Sequence, residues 1–330
     1  MTGASSVSSS ATPYPRLLAD VGGTNARFAW VTGPQTGVSH VRVLPCADHA
    51  ALADAVRHYL AIESLPAPAA MAMGIATAIT GDAVRMTNHH WAFSIRELQA
   101  ALGLVRLVVL NDFTALALAL PSLTAAELRQ VGGGSPRPGQ PIALIGPGTG
   151  LGVSGLLPGP AGSWVPIAGE GGHATLPASS AREAVVIGVL RSRFGHVSAE
   201  RVLSGAGLVA LYEVLCQLEG STTRVLTPAE VSAHGLAGSD AHCVEALELF
   251  CALLGTMAGN HALTLGAFGG VYIGGGIVPR LGGFFDRSAF RARFEAKGRY
   301  AEYLGAIPVF VIDTAVSPAL AGAALALDQA

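Results

Sequence analysis

The chain has 330 residues, of which 51% are hydrophobic and 13% charged, and its formal net charge is −2. This composition supplies a large core and excludes a disordered chain, and it leaves no global field to recruit nucleic acid or an anionic membrane. By length, about two domains of ordinary size are expected.

Other exclusions follow from single residue types. Cys46, Cys216, Cys243 and Cys251 form no C-x-x-C pair, so a zinc knuckle or dithiol motif is excluded and buried free thiols in a reducing cytoplasm are expected. The only lysine is Lys297, in EAKGRY. Neither a Walker A loop nor a protein-kinase lobe can be built around it, so any phosphate must be held by backbone amides, hydroxyls, arginine and metal. Residues 1–15 lack a basic n-region and an apolar h-region, and read as a flexible Ser/Ala tail.

In chain order, residues 16–32 predict two strands around a VGGTN turn, and residues 51–64 have helical spacing. AAMAMGIAT (69–77) predicts a buried strand. Gly81-Asp82 predicts a turn, and a polar cluster follows at 87–90, with His89 and His90 read as surface or loop residues. SIRELQAALG predicts a short helix with Ser94 as N-cap, Glu97 three residues later and Gly103 at its end. LVRLVVL runs as an apolar strand into Asn111-Asp112, with a helix expected next. Residues 129–141 are Gly/Pro-rich and read as a surface loop near a domain boundary. IALIGPGTGLGVSGLL (142–157) repeats the strand, glycine turn, strand arrangement of the opening. Residues 181–266 are mostly helical by pattern, 269–279 and 306–313 predict strands, and 317–330 a last helix. Residues 249–279 contain no Asp, Glu, Lys or Arg, but glycines cut the run. A buried helix and strand fit it better than a membrane span. Alternating strands and helices make the class α/β, in which ligands bind at strand ends.

Chemistry-bearing residues recur at those ends. Gly22 and Gly23 bare the backbone amides of the first turn, Thr24 and Asn25 add donors, and Asp20 suits hydrated Mg²⁺ bridging phosphates. The plainer alternative is a Gly-Gly hairpin with Asp20 capping the turn. GPGTGLG, with Thr149 and Gly150, does not follow G-x-G-x-x-G; it reads as a second phosphate loop or as a plain glycine turn. Gly274, Gly275 and Gly276 would permit flat approach of a nucleotide, or simply turn a strand into a helix. Asp112 could accept a proton from an alcohol attacking phosphorus, or Asn111-Asp112 could merely cap a helix. Glu170 and His173 offer a sugar an acceptor and a ring nitrogen across two glycines; a solvated loop is the alternative. Glu200 would otherwise be an exposed acid in the first turn of a helix.

The stretches ADVGGTNARFAW, ITGDAVRMTNHHWAFSI, LNDFTALALALP, IGPGTGLGVSGL, GEGGHATLPA, SAERVLSGAGLVALY and VYIGGGIVPRL occur in this order from Leu17 onward. Together they closely resemble the bacterial glucokinase family, in the actin-like/hexokinase ATPase superfamily. The resemblance implies a two-domain actin-like (ribonuclease H-like) ATPase fold with the active site in the interdomain cleft. Its expected domains are a small one of residues 16–121 plus 314–330 and a large one of 122–313. It further implies ATP-dependent phosphorylation of glucose at its 6-hydroxyl, with Mg²⁺, and a homodimer.

By position, Ala19, Asp20, Val21, Gly22, Gly23 and Thr24 match the first phosphate loop, with Asp20 near the metal. Thr149 and Gly150 match the second phosphate contacts, and Gly274, Gly275 and Gly276 the nucleotide site. Asn111, Asp112, Glu170, His173 and Glu200 match the sugar-binding residues, with Asp112 as catalytic base. The family's first loop often begins Gly-Asp where this one begins Ala19-Asp20, small for small. Repressor/kinase relatives carry a cysteine-rich zinc motif after E-x-G-H, whereas no cysteine lies between residues 47 and 215 here. A sugar-sensing repressor would need a DNA-binding module, which the short tail before residue 16 does not supply. An actin-like assembly ATPase would have no use for Asn111-Asp112 with EGGH. A kinase for another hexose or another phosphoryl donor is the remaining alternative.

Overall fold

The computed structural model describes residues 12–314 and 317–329. The chain divides into two compact units, Met1–Ser122 with Val316–Ala330, and Leu123–Ala315.

The first unit contains β1 (Arg16–Val21), β2 (Asn25–Val31), β3 (Ser39–Pro45), α1 (Leu52–Ile62), β4 (Ala70–Ile75), β5 (Ala83–Arg85), β6 (Ala92–Ser94), α2 (Ile95–Ala101), β7 (Arg106–Asn111) and α3 (Asp112–Ala119). Its main sheet has the order β3-β2-β1-β4-β7. The first three strands form an antiparallel meander, and β4 and β7 run parallel to β1. Side chains alternate across a sheet, so the two faces separate by parity. Leu17, Ala19, Val21, Met71 and Met73 join the α1 residues Leu52, Val56 and Tyr59 in one core. Leu18, Ala70 and Ala72 pack with Leu320, Ala323 and Leu327 of the C-terminal helix Ala319–Gln329 in another.

The second unit contains β8 (Leu128–Val131), β9 (Ile142–Pro147), β10 (Leu151–Pro158), β11 (Trp164–Pro166), α4 (Ala181–Phe194), α5 (Gly205–Leu218), α6 (Pro228–Ala237), α7 (Ala241–Leu265), β12 (Val271–Ile273), α8 (Ile277–Leu281), α9 (Gly283–Arg287), α10 (Phe290–Glu295), α11 (Ala301–Gly305) and β13 (Val309–Ile312). Its sheet has the order β11-β10-β9-β12-β13-β8. Without β8, this is again a three-stranded antiparallel meander followed by two strands parallel to the first. The two units therefore share one strand topology. The turn between β1 and β2 in the first unit occupies the place of the turn between β9 and β10 in the second.

Three expectations change. Residues 129–141 are not all loop, because β8 pairs antiparallel with β13 at the sheet edge. The tail expected over residues 1–15 lies outside the described residues up to residue 11. Residues 12–15 are no free tail, because the buried Thr12 hydroxyl donates to the Leu327 carbonyl at 2.7 Å and Arg16 donates to the Thr12 carbonyl. The strand expected over residues 269–279 is only the three residues of β12, since the following glycines turn the chain into α8. α7 is long and apolar enough to cross a membrane by length and composition, yet 67% of that window is buried within the protein. All four cysteines are free and buried.

Candidate active site

In the first unit, the turn after β1 is closed by the Gly22 amide donating to the Asn25 carbonyl at 2.9 Å. Asp20 does not cap this turn. It lies in β1 opposite Arg27 of β2, whose guanidinium donates to its Oδ2 at 3.3 Å. Thr24 is exposed, while Gly22 and Gly23 are half-buried.

The strands β1, β4 and β7 are neighbours, with Asp20, Gly74 and Leu110 in register. At the ordinary spacing of strands, Asp20 and the end of β7 are about 10 Å apart. The register position between them carries no side chain, and a Cβ on Gly74 would lie 3.0 Å from Ala115 Cβ and 3.3 Å from Asp112 Cα. Glycine there lets α3 settle onto the sheet.

Asn111 and Asp112 divide the roles that the sequence left open. Asn111 is the N-cap, and its Oδ1 accepts from the Phe113 and Thr114 amides at 2.9 and 3.2 Å. Its Nδ2 donates to the Thr77 carbonyl at 3.3 Å. Asp112 is the first helical residue, half-buried at the N-terminus of α3, where the helix dipole favours its carboxylate.

In the second unit, the turn between β9 and β10 is a hub. The Gly148 amide donates to the Gly150 carbonyl at 2.8 Å, and the Gly205 amide of α5 donates to the Gly148 carbonyl at 2.9 Å. The Leu151 amide donates to Glu200 Oε2 at 2.9 Å, and a Cβ on Gly150 would lie 2.5 Å from that oxygen. Glu200 is thus not a first-turn helical acid; it braces the turn from a loop. Its own amide donates to the Gly172 carbonyl at 2.9 Å, and a Cβ on Gly172 would lie 2.1 Å from the Leu151 carbonyl oxygen. Glu170 and His173 flank that glycine pair, both exposed, with their side chains 4.0 Å apart. Gly275 has φ +76°, and a Cβ there would lie 2.3 Å from the Pro147 carbonyl oxygen. The second unit therefore gathers Thr149, Gly150, Glu170, His173, Glu200, Gly274, Gly275 and Gly276 around residues 146–152. The first unit gathers residues 19–24 with Asn111 and Asp112.

Sequence reasoning missed Arg27, Thr77 and the α5 N-terminus at Gly205. Arg27 was within reach of sequence only through the hairpin's register: a turn centred on Gly22-Gly23 would set Asn25 opposite Asp20, and it is the turn centred on Gly23-Thr24 that sets Arg27 there. The other two depend on long-range approach.

No group of three or more His, Cys, Asp or Glu side chains able to hold a metal occurs among the described residues. A protein-only metal cage is therefore not what the donor set offers. Asp20 provides one hard carboxylate at a strand end, partly exposed, beside a turn rich in amides. That suits Mg²⁺, which is commonly held by one or two carboxylates with water and substrate phosphates.

A glucokinase family model matches residues 17–330. The chain belongs to the glucokinase family. It is 59% identical over 318 residues to a glucokinase of Aromatoleum aromaticum, covering 96% of each chain. It is similar to the crystal structure of a glucokinase from an Antarctic psychrotroph, with TM-score 0.85 and 36% identity over 96% of this chain and 99% of that one. A ROK family glucokinase from Streptomyces griseus, solved with glucose and AMPPNP, has the same fold. Its TM-score is 0.62 at 18% identity, over 96% of this chain and 100% of that one. The family member described here has the two-domain α/β fold of the actin-like ATPases, and it is an enzyme of the sugar-kinase class.

Proposed function

We propose that the chain transfers the terminal phosphoryl group of ATP to the 6-hydroxyl of glucose, with Asp112 as the base. One observation carries the reading: an amide-rich turn at the end of β1 and a half-buried carboxylate at the end of β7 stand on one sheet with only β4 between them, about 10 Å apart by strand spacing. That span has room for a phosphoryl group beside the hydroxyl that attacks it.

Phosphoryl transfer requires positioning and charge stabilisation more than covalent chemistry. The Gly23 and Thr24 amides donate to phosphate oxygens, as do Thr149 and Gly150, while Ala19, Val21 and Gly22 supply backbone at the first turn, the Gly22 amide being held by the Asn25 carbonyl. Gly274, Gly275 and Gly276 receive the nucleotide. Asp20 would hold Mg²⁺ through water, and the ion, when bound, would supply neutralising charge for the phosphates. Glu170, His173 and Glu200 bind sugar hydroxyls. Asn111 keeps at most one N–H for the sugar, since its oxygen already caps α3 and its amide already serves Thr77. Asp112 accepts the hydroxyl proton as the attacking oxygen becomes acidic; an ordinary Asp, pKa ~3.9, is a weak base before that point. The units Met1–Ser122 with Val316–Ala330 and Leu123–Ala315 serve as the small and large domains. The protein acts in the cytoplasm as a homodimer on small-molecule substrates, with no nucleic acid or membrane partner.

Product identification tests the reading. Purified protein is given Mg-ATP and glucose, with a panel of other hexoses and the Asp112→Asn variant in parallel. Stoichiometric ADP and glucose 6-phosphate are expected, abolished by EDTA and restored by excess Mg²⁺. Asp112→Asn should keep glucose affinity within a few-fold and lose about 10²–10⁴-fold in turnover. Preference for another hexose would replace glucose as substrate, and near-normal turnover of the variant would remove Asp112 from its role.

A further inference from the structure

The polar cluster at residues 87–90 takes no part in the reaction as described above, yet its place in the first unit is specific. It is the connection between β5 and β6, closed by the Met86 amide donating to the Trp91 carbonyl at 3.0 Å. The loop is anchored from behind. Trp91 is 2% exposed and its indole N–H donates to the His49 carbonyl at 3.0 Å, and the His90 ring lies 3.1 Å from the Ala50 carbonyl.

Two residues of this held loop face different parts of the proposed site. Thr87 Oγ1 lies 3.2 Å from Thr77 Oγ1, and the Thr77 carbonyl accepts from Asn111 Nδ2. Asn88 stands against the first turn: a Cβ on Gly23 would lie 3.0 Å from Asn88 Cβ and 3.2 Å from its carbonyl oxygen. Asn88 is exposed, and its carboxamide makes no hydrogen bond among the described residues. A neutral amide that carries two N–H donors, on an anchored loop beside an anion-binding turn, is suited to a phosphate oxygen.

We propose that the Asn88 carboxamide donates to the phosphoryl group in transfer, and that Thr77 and Thr87 hold its loop in register with Asn111. The inference rests on the phosphotransfer reading above and adds a residue to it. The site has acidic Asp20 and Asp112 but no lysine, and Arg27 is already engaged by Asp20. A neutral donor adds stabilisation there without attracting a carboxylate. The charge on the equatorial oxygens is redistributed in the transition state, so the contact should register in turnover more than in glucose binding.

The experiment compares wild type, Asn88→Ala and Asn88→Asp in glucose 6-phosphate formation, with glucose affinity measured separately by tryptophan fluorescence. Asn88→Ala should lose about 10–100-fold in kcat, the loss expected for one hydrogen bond to a charged group. Asn88→Asp should lose more and raise KM for ATP, because its charge repels phosphate. Both should bind glucose within about 3-fold of wild type, and both should melt like wild type because the position is exposed. Normal kcat in both variants, or a loss wholly in glucose affinity, would overturn the assignment. Wild type that forms no sugar phosphate would instead overturn the underlying reading, and this inference with it; that outcome is seen before any variant is assayed.

Discussion

Gly150→Ala separates the bracing role of Glu200 from the backbone requirements of its turn. No left-handed φ is required at Gly150, so alanine is compatible with the backbone; what it meets is a side chain. The new Cβ would lie 2.5 Å from Glu200 Oε2, whereas ordinary contact begins at 3.4 Å, so the carboxylate must retreat by about 0.9 Å. A retreat along its hydrogen bond stretches the 2.9 Å contact with the Leu151 amide to about 3.8 Å, outside hydrogen-bond range. A hydrogen bond to a charged group contributes about 1.5–3 kcal/mol. Unfolding free energy should therefore fall by no more than about 3 kcal/mol, because the long Glu200 side chain can move aside. Activity should suffer in proportion to the misplaced carboxylate, with kcat/KM for glucose falling about 10–100-fold. The assay is a cycle of wild type, Gly150→Ala, Glu200→Ala and the double variant. If alanine acts through Glu200, the double variant is no worse than Glu200→Ala alone. Independent, multiplying losses, or an unimpaired Gly150→Ala, would refute the reasoning.

Other outcomes follow from the interior of the second unit. Arg293 pairs with Glu183 at 2.8 Å, and the Glu183 side chain is 1% exposed. Arg293→Met leaves that carboxylate buried without its cation and should cost about 3–5 kcal/mol in urea denaturation. Adding Glu183→Gln should restore most of the loss, and a single-variant cost below about 1 kcal/mol would contradict the role assigned to the pair. Nearby, burial and then the Arg293 charge push the Lys297 amine below its ordinary value of 10.5. Between the lowered folded value and 10.5 the unfolded chain holds a proton that the folded chain lacks, so this group's contribution to stability rises with pH across that window and is lost as pH falls through the folded value. Because the chain has one lysine, ¹³C reductive methylation labels only Lys297 and the α-amine, a Lys297→Arg variant tells the two NMR signals apart, and titration of the Lys297 signal at or above the ordinary value would disprove the shift.

Local chemistry was the readable part of this protein. Ser94 was legible as an N-cap from its spacing to Glu97, and its hydroxyl accepts from the Glu97 amide at 3.2 Å. The strand, glycine turn, strand arrangement around Gly22-Gly23 and around Gly148, Thr149 and Gly150 was legible from apolar runs broken by glycine, and both hairpins form. Asn111 and Asp112 were legible as a pair at a strand end, but not which residue capped the helix. Either side chain can cap, and only the backbone's turn into α3 puts the cap on Asn111 and leaves Asp112 one residue inside.

The sequence by itself determined the α/β class, the two bare turns and the acids at strand ends, because each depends on residues close together along the chain. The tertiary structure alone decided that Glu200 holds the Leu151 amide from 49 residues away, that Thr77 supports Asn111 from 34 residues away, and that Asn88 abuts Gly23. It also decided that both units repeat one strand order. These are non-local contacts, set by how sheets and loops close on one another, and a glycine in sequence does not say which distant atom occupies the place of its missing side chain.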